Sequence, residues 1–511
     1  MAFEPNYEKL VTSYKRDLNT AQARVDVRLS TVDQEEIKSI LCSSAKAHII
    51  NAEISGNTIN YNGQVNFQVI YESAMGDIQG LDYTAEFVDK YSSEDVPNLQ
   101  LPIVDSGVID VEINVLNANT ISATAIVETR ISGVINENTD VLSGIEASGV
   151  YTEVESNKFY SFLGKLSEKY DLVQDVELLE GVSKVLSVTP AVALEGVKPS
   201  DNFALVKGNV FVDMCYLTNE ENPKVRSYTT SYDFSMEVAL EGVNEDTYIL
   251  SNIYINTTDI KVTSNLEQDK ALINLVLPIV YNGFAFTGKM VNNVVDMYSV
   301  NNELNVTSAS VQSLLPNETI TAMDKINGSV MVEDFVDEIL GNCCNYVSVT
   351  STFVEEDSVT IEGVANTTVL YYNKEDNSKN SIIVEMPFSV KVNGNNFNEN
   401  SIAQVNCVMN DISAKSKRGQ EIEVFAKLYL YVELYSTNTS VVISQVSIGE
   451  AIAPPDCAFK IYVVKNNETL WDVAKNLRTS EEDILNQNKD LELPLKAGDR
   501  VLIYYQKVME F

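Results

Sequence analysis

Residues 63–71 read GQVNFQVIY, with apolar side chains at alternate positions, the period-2 signature of a half-buried strand. The same frame returns as GNVFVDMCY at 208–216 and GVANTTVLY at 363–371. Each runs from a glycine to a tyrosine eight residues on. A polar hairpin follows in all three places (ESAMGD, LTNEENPK and YNKEDNSK), and the next strand returns to a phenylalanine, at Phe87, Phe234 and Phe388. Upstream of each glycine lies a short stretch with helical spacing: EEIKSIL at 35–41, LEGVSKVL at 179–186 and VDEIL at 336–340. Downstream comes a further pair of strands, for example VEINVL then SATAIVETRI in the first copy. Self-similarity at this period marks three structural repeats.

Period-2 alternation, frequent turns and short helices define three β domains of ordinary domain size, with approximate limits 20–135, 165–300 and 318–447. The expected fold class is multidomain and mainly β: three repeated β-sandwich or barrel-like domains plus a small α+β (βααβ) module at residues 459–506. Polar, Asn-rich stretches at 136–158 and 301–325 read as linkers or long connections. Tyr7, Leu10, Val11 and Tyr14 share one face at helical spacing, so residues 1–19 read as a helical segment. IAPPD at 452–456 reads as a stiff joint, because proline fixes the backbone and extends it.

The last module is legible in detail. Ile461 to Val464 is a β-branched run. Thr469 can cap a helix with Asp472 three residues on, and Leu470, Val473, Ala474 and Leu477 then form one apolar face. Ser480 can cap a second helix. Gly498 and Asp499 precede a strand over Arg500–Tyr504. With NNETLWDVA at 466–474 and the late AGDRVLIY, this region resembles a LysM domain, a module best known for binding N-acetylglucosamine glycans. Asn467 and Glu468 stand where that family usually has Gly-Asp, in a loop that helps form the sugar groove of glycan-binding members. The candidate partner- or glycan-binding surface has two sides. One is Ile461, Val463, Asn466, Asn467, Glu468, Thr469, Leu470 and Trp471; the other is Asn488, Leu491 and Leu495. Two readings stand for Trp471, the only tryptophan: a ring half-covering a small core, or an exposed contact anchor of the kind enriched at binding hot spots.

Charge narrows the partners. The 511 residues carry a formal charge of −37, nearly all of it before residue 459. Such a field repels nucleic acid and anionic membrane surfaces. No run of about 18 apolar residues occurs, so no membrane span is expected, and the N-terminal sequence does not read as a secretory signal. The six cysteines, Cys42, Cys215, Cys343, Cys344, Cys407 and Cys457, form no CxxC pair and read as buried thiols of a reducing compartment. A single histidine, His48, supports neither an HExxH motif nor a two-histidine zinc site, and reads as a solvated or satisfied strand residue. No phosphate loop is present. No catalytic residue, metal site or cofactor is expected, and the chain is not expected to be an enzyme.

The repeat signatures IKSILCSSAKA (37–47), VSKVLSVTPAV (182–192) and VDEILGNCCNYVSV (336–349), each followed by the Gly…Tyr strand, resemble the SPOCS domains of clostridial sporulation proteins. Three such repeats followed by one LysM domain are similar in layout to the SipL-like family. The resemblance implies a spore coat morphogenetic scaffold in the mother-cell cytoplasm, at the forespore surface. In that family the LysM domain is implied to bind the coat ATPase SpoIVA, with other coat proteins as further partners and self-association through the β repeats. The alternative is a peptidoglycan- or cortex-binding protein that uses the LysM domain to read the glycan.

Overall fold

The computed structural model describes residues 3–221, 223–266, 270–376, 378–453 and 457–505. Most of the joint at 454–456, and Asn222 and Asn377 of the polar hairpins, lie outside them. The chain is β-rich throughout, with two short helices near its C-terminus. Among the described residues no helix is long and apolar enough to cross a membrane.

The first repeat comprises β1 (Glu4–Ser30), β2 (Ile37–Ser55), β3 (Thr58–Ser73), β4 (Ile78–Ser92), β5 (Leu99–Asn117) and β6 (Thr120–Glu146). The second comprises β7 (Val150–Leu178), β8 (Val182–Ser200), β9 (Phe203–Thr218), β10 (Val225–Ala239), β11 (Thr247–Ile255), β12 (Lys261–Leu266) and β13 (Ala271–Ser299). The third comprises β14 (Asn302–Met331), β15 (Val336–Glu355), β16 (Ser358–Asn373), β17 (Lys379–Asn393), β18 (Ile402–Lys417) and β19 (Glu421–Ala451). In each repeat the first and last strands pair antiparallel along their length, and the penultimate strand covers the other edge of the last (β1-β6-β5 and β14-β19-β18). In the second repeat that edge is shared by β11 and β12, which take successive lengths of β13. The three middle strands make a second sheet (β2-β3-β4, β8-β9-β10, β15-β16-β17), and the apolar faces of the two sheets enclose a core.

The repeated glycine and phenylalanine are one device. Gly63 lies opposite Phe87, Gly208 opposite Phe234 and Gly363 opposite Phe388. A Cβ on any of the three glycines would come within 3.0 Å both of the phenylalanine ring and of a carbonyl on the neighbouring strand (His48, Ala193 or Ser348). The ring therefore lies over bare backbone and fills the room a side chain would take.

The stretches with helical spacing are strands: β2, β8 and β15 begin within them. Each opens with two bulges three residues apart, at Ile37/Ser39 and Ile40/Cys42, Val182/Lys184 and Val185/Ser187, and Val336/Glu338 and Ile339/Gly341. Each bulge adds one residue to one strand, so apolar positions that would alternate by two recur at i, i+3 and i+4. The same correction applies to residues 1–19. Residues from Glu4 onward belong to β1, with a bulge at Asn6/Tyr7; Leu10 is buried, while Tyr7 and Val11 are exposed. The Asn-rich stretches at 136–158 and 301–325 are also mostly strand. There the long outer strands continue as two-stranded ribbons, and polar side chains bond across them, as Asn157 does with Asn293 at 3.0 Å.

The three ribbons, β1/β6, β7/β13 and β14/β19, pack on one another. Leu10, Val141, Phe159, Val291, Val311 and Val442 meet in one buried cluster, one residue from each of the six strands. A second shared cluster joins Leu41, Leu186 and Leu340 with Ile70, Cys215 and Leu370, equivalent positions of the three repeats. The repeats thus surround a pseudo-threefold axis. Their junctions gather at one end: Val300 N donates to Gly149 O, and Ile452 N to Asn301 O.

Candidate functional site

The C-terminal module is βααβ: β20 (Phe459–Val463), α1 (Leu470–Leu477), α2 (Glu481–Gln487) and β21 (Arg500–Tyr504), with β20 and β21 antiparallel. Thr469 caps α1 in a reciprocal box with Asp472, and Ser480 accepts from Asp483 N at 2.9 Å to cap α2. Val473, Ala474, Leu477, Ile484, Val501 and Ile503 form its core.

The module is seated on the end of the repeat body where the junctions gather. Tyr298 of β13 enters its apolar cluster and donates from its hydroxyl to Thr479 O at 2.7 Å. The Trp471 ring meets Tyr298 edge-on, with centroids 5.0 Å apart, and its Nε1 donates to Asp296 at 2.8 Å. Lys475 pairs with the same carboxylate, and Arg478 pairs with Glu303 at 2.6 Å. Partial burial pushes the Asp296 carboxyl up, but the hydrogen bonds from Lys475 and Trp471 outweigh it and hold the group below its ordinary range. Trp471 is half-buried and bonded within the chain, so the structure places it in a latch between module and body.

The other expected site residues separate into three sets. Leu470, Leu491 and Leu495 pack against the module core. Asn488 bridges the two ends of the module: its Nδ2 donates to Ile484 O and Leu502 O, and its Oδ1 accepts from Leu502 N, each at 2.8 Å. Glu468 closes its own loop, accepting from Tyr462 Oη at 2.7 Å and Lys465 N at 2.8 Å; these bonds hold its carboxyl below the ordinary range. Asn467 takes φ 62°, the left-handed turn conformation that asparagine tolerates. Asn466, Asn467 and Thr469 are exposed at that loop.

Ile461 and Val463 are different. They alternate with Phe459 on one face of the small sheet, and all three are more than half exposed, as is Tyr504. Phe459 and Tyr504 are directly paired, their ring centroids 6.3 Å apart. A module of under fifty residues thus presents four large apolar side chains together, more than scattered surface apolars explain. Phe459 and Tyr504 were not among the expected site residues; the alternation of Phe459 with Ile461 and Val463 was the available signal.

His48 departs from expectation: it is buried, stacks on Tyr254 at 5.5 Å, and has no partner at Nε2 among the described residues. Burial lowers its pKa below the ordinary imidazole value. It borders a cavity of about 1030 Å³ between the repeats, which Glu433, Lys15 and Asp105 also line.

A repeated β-sandwich body carrying a small βααβ module defines a mainly β, multidomain protein. Comparison with known families gives the domains their names: residues 336–417 match the family model described as SipL, SPOCS domain, and residues 462–503 match the LysM domain. The chain therefore resembles SipL-like proteins in carrying a SPOCS domain together with a LysM domain, a pairing that supports a sporulation-related protein. Both families are non-catalytic binding domains. The SPOCS match falls on the third repeat, whose strand order and Gly–Phe pair the first two share. No curated protein matches the chain.

Proposed function

We propose that the chain is a non-enzymatic morphogenetic scaffold of the spore coat, in which the repeat body is a rigid base and the LysM module captures a protein partner. The observation that carries this reading is the exposed sheet face of Phe459, Ile461, Val463 and Tyr504. Apolar and aromatic side chains clustered at the centre of a patch are what protein interfaces bury. The sugar-groove side is less favourable: Glu468 is tied to its own loop, Asn488 holds the fold, and the one tryptophan bonds to Asp296. The partner implied by the SipL-like layout is the coat ATPase SpoIVA, which would tether the growing coat to the forespore surface from the mother-cell side.

The test uses the full chain and its Ile461→Asp and Val463→Asp variants, both at exposed positions. Each is titrated with purified SpoIVA and, separately, with chito-oligosaccharides. Saturable binding to the ATPase that either variant abolishes supports the proposal. Saturable sugar binding with none to the ATPase would replace it with a cortex glycan reader.

A further inference from the structure

Three of the six cysteines meet where the repeats join. Cys42 of β2 and Cys343 and Cys344 of β15 are 301 and 302 residues apart in sequence, yet Cys42 Sγ lies 2.6 Å from Cys344 Sγ and 2.8 Å from Cys343 Sγ. All three sulfurs fall within 4.8 Å of one another, and all three residues are buried. Leu41, Ile70, Leu186, Leu340 and Leu370 wall the site, so every repeat contributes to its enclosure.

The backbone is shaped for this arrangement. The three equivalent strands β2, β8 and β15 share bulges at three matching places. Only β15 has a fourth, between Cys343 and Tyr346, and it is one residue longer than the others. An unbulged strand would turn consecutive side chains to opposite faces. The extra bulge puts Cys344 at φ 56°, a left-handed conformation that disfavours a cysteine, and turns both sulfurs inward toward Cys42. Strain of this kind persists only where the surroundings impose it.

We propose that Cys42, Cys343 and Cys344 hold one thiophilic d¹⁰ ion, trigonal Cu(I) or Zn(II) with a water from the adjoining cavity as its fourth ligand, as a structural clasp that ties the first repeat to the third across the axis. Two contacts of 2.6 and 2.8 Å from one sulfur lie well inside van der Waals separation. A single S–S bond would account for one of them and leave the other. An ion bonded at about 2.3 Å to each sulfur sets three sulfurs about 4 Å apart, which relieves both contacts. Thiolate ligands select zinc and monovalent copper over the harder ions. Each bond forms with loss of a thiol proton to solvent. Cys344 borders a cavity of about 730 Å³ between the repeats, which gives an ion a route to the three sulfurs.

The test is metal quantification and native mass spectrometry on the full chain, purified without chelator, then unfolded, stripped and refolded with Zn(II), Cu(I) or Cd(II) as the probe. The expected result is one ion per chain, which elemental analysis identifies. Cd(II) should give an ultraviolet thiolate-to-metal charge-transfer band. Cys42→Ser and Cys344→Ser should each lose the ion, and Cys407→Ser, at a half-buried position elsewhere, should keep it. Absence of metal together with absence of the band on refolding would overturn the proposal. So would a mass two hydrogens low, which marks a disulfide, or an ion retained in Cys42→Ser. Should the serine variants fail to fold, the wild-type stoichiometry and band still decide the question.

Discussion

The repeat body and the LysM latch are held by opposite means. In the body, antiparallel ladders of up to 28 residue pairs and continuous apolar cores lock each repeat, and the apolar clusters of the ribbons lock the repeats together. The latch rests on one tyrosine inserted into the module core, one tryptophan, and two ion pairs drawn from the repeat junctions. The first kind of contact is cooperative and insensitive to salt. The second is local, polar at its rim and open to titration. A body with continuous apolar cores thus carries a small module on a seat of few contacts, polar at its rim.

The largest effect that would sharpen this contrast comes from Gly363→Val. Its side chain would strike both Ser348 O and the Phe388 ring, so a loss of about 3 kcal/mol is expected. Thermal unfolding should show the main transition moving down by several degrees. An unchanged midpoint would break the account of the Gly–Phe pairs.

Next comes the latch. Trp471→Ala combined with Asp296→Ala removes the ring contact and a charged hydrogen bond, at a cost of about 2 kcal/mol. Proteolysis near the 452–456 joint should accelerate and the radius of gyration should rise, while the main thermal transition stays in place. Loss of that transition would show that module and body are a single cooperative unit.

Two pH effects separate the regions further. Glu433 lies deep between the repeats; burial raises its pKa from 4.5 to about 8, even though it accepts from Ser251 N at 2.8 Å. A carboxyl with a raised folded-state pKa contributes stability fully present below about pH 4.5 and lost as pH rises to about 8. The body should therefore melt at a lower temperature at pH 8 than at pH 5, and Glu433→Gln should flatten that slope. Asp296 has the opposite sign. Its folded pKa is depressed, so its share of the latch is present above the ordinary value of 3.8 and lost as pH falls below it. Scattering profiles should show the module released in acid before the body unfolds. The smallest effect is expected from Arg478→Ala: its pair with Glu303 is exposed and contributes about 0.5 kcal/mol, visible only as a slight rise in joint proteolysis.

Much of this was legible in the chain. Period-2 alternation and the Gly…Tyr frame disclosed three β repeats, and two caps with one apolar stripe disclosed the LysM helices. What failed did so for a definite reason. Paired bulges at Ile37/Ser39 and Ile40/Cys42 and their equivalents mimic helical spacing, and no local pattern distinguishes them. The Asn-rich stretches read as linkers because a two-stranded ribbon can carry polar residues on its open face. Trp471 and Asp296 are 175 residues apart, and Cys42 and Cys344 are 302 apart. Contacts of that kind are set by how the repeats close around the axis, which alternation within one strand does not encode. The exposed sheet face was half visible: Ile461 and Val463 were named, and their neighbours Phe459 and Tyr504 follow once β20 and β21 are paired.

The most direct test of the central claim is a binding titration of the full chain with SpoIVA, repeated with Ile461→Asp, with Val463→Asp and with the latch variant Trp471→Ala/Asp296→Ala. If the sheet face is the capture surface, either sheet-face variant loses binding by at least tenfold, while the latch variant, whose sheet face is untouched, binds the ATPase as well as wild type. Full affinity in both sheet-face variants, with loss only in the latch variant, would contradict it and move the capture site to the Trp471 side of the module.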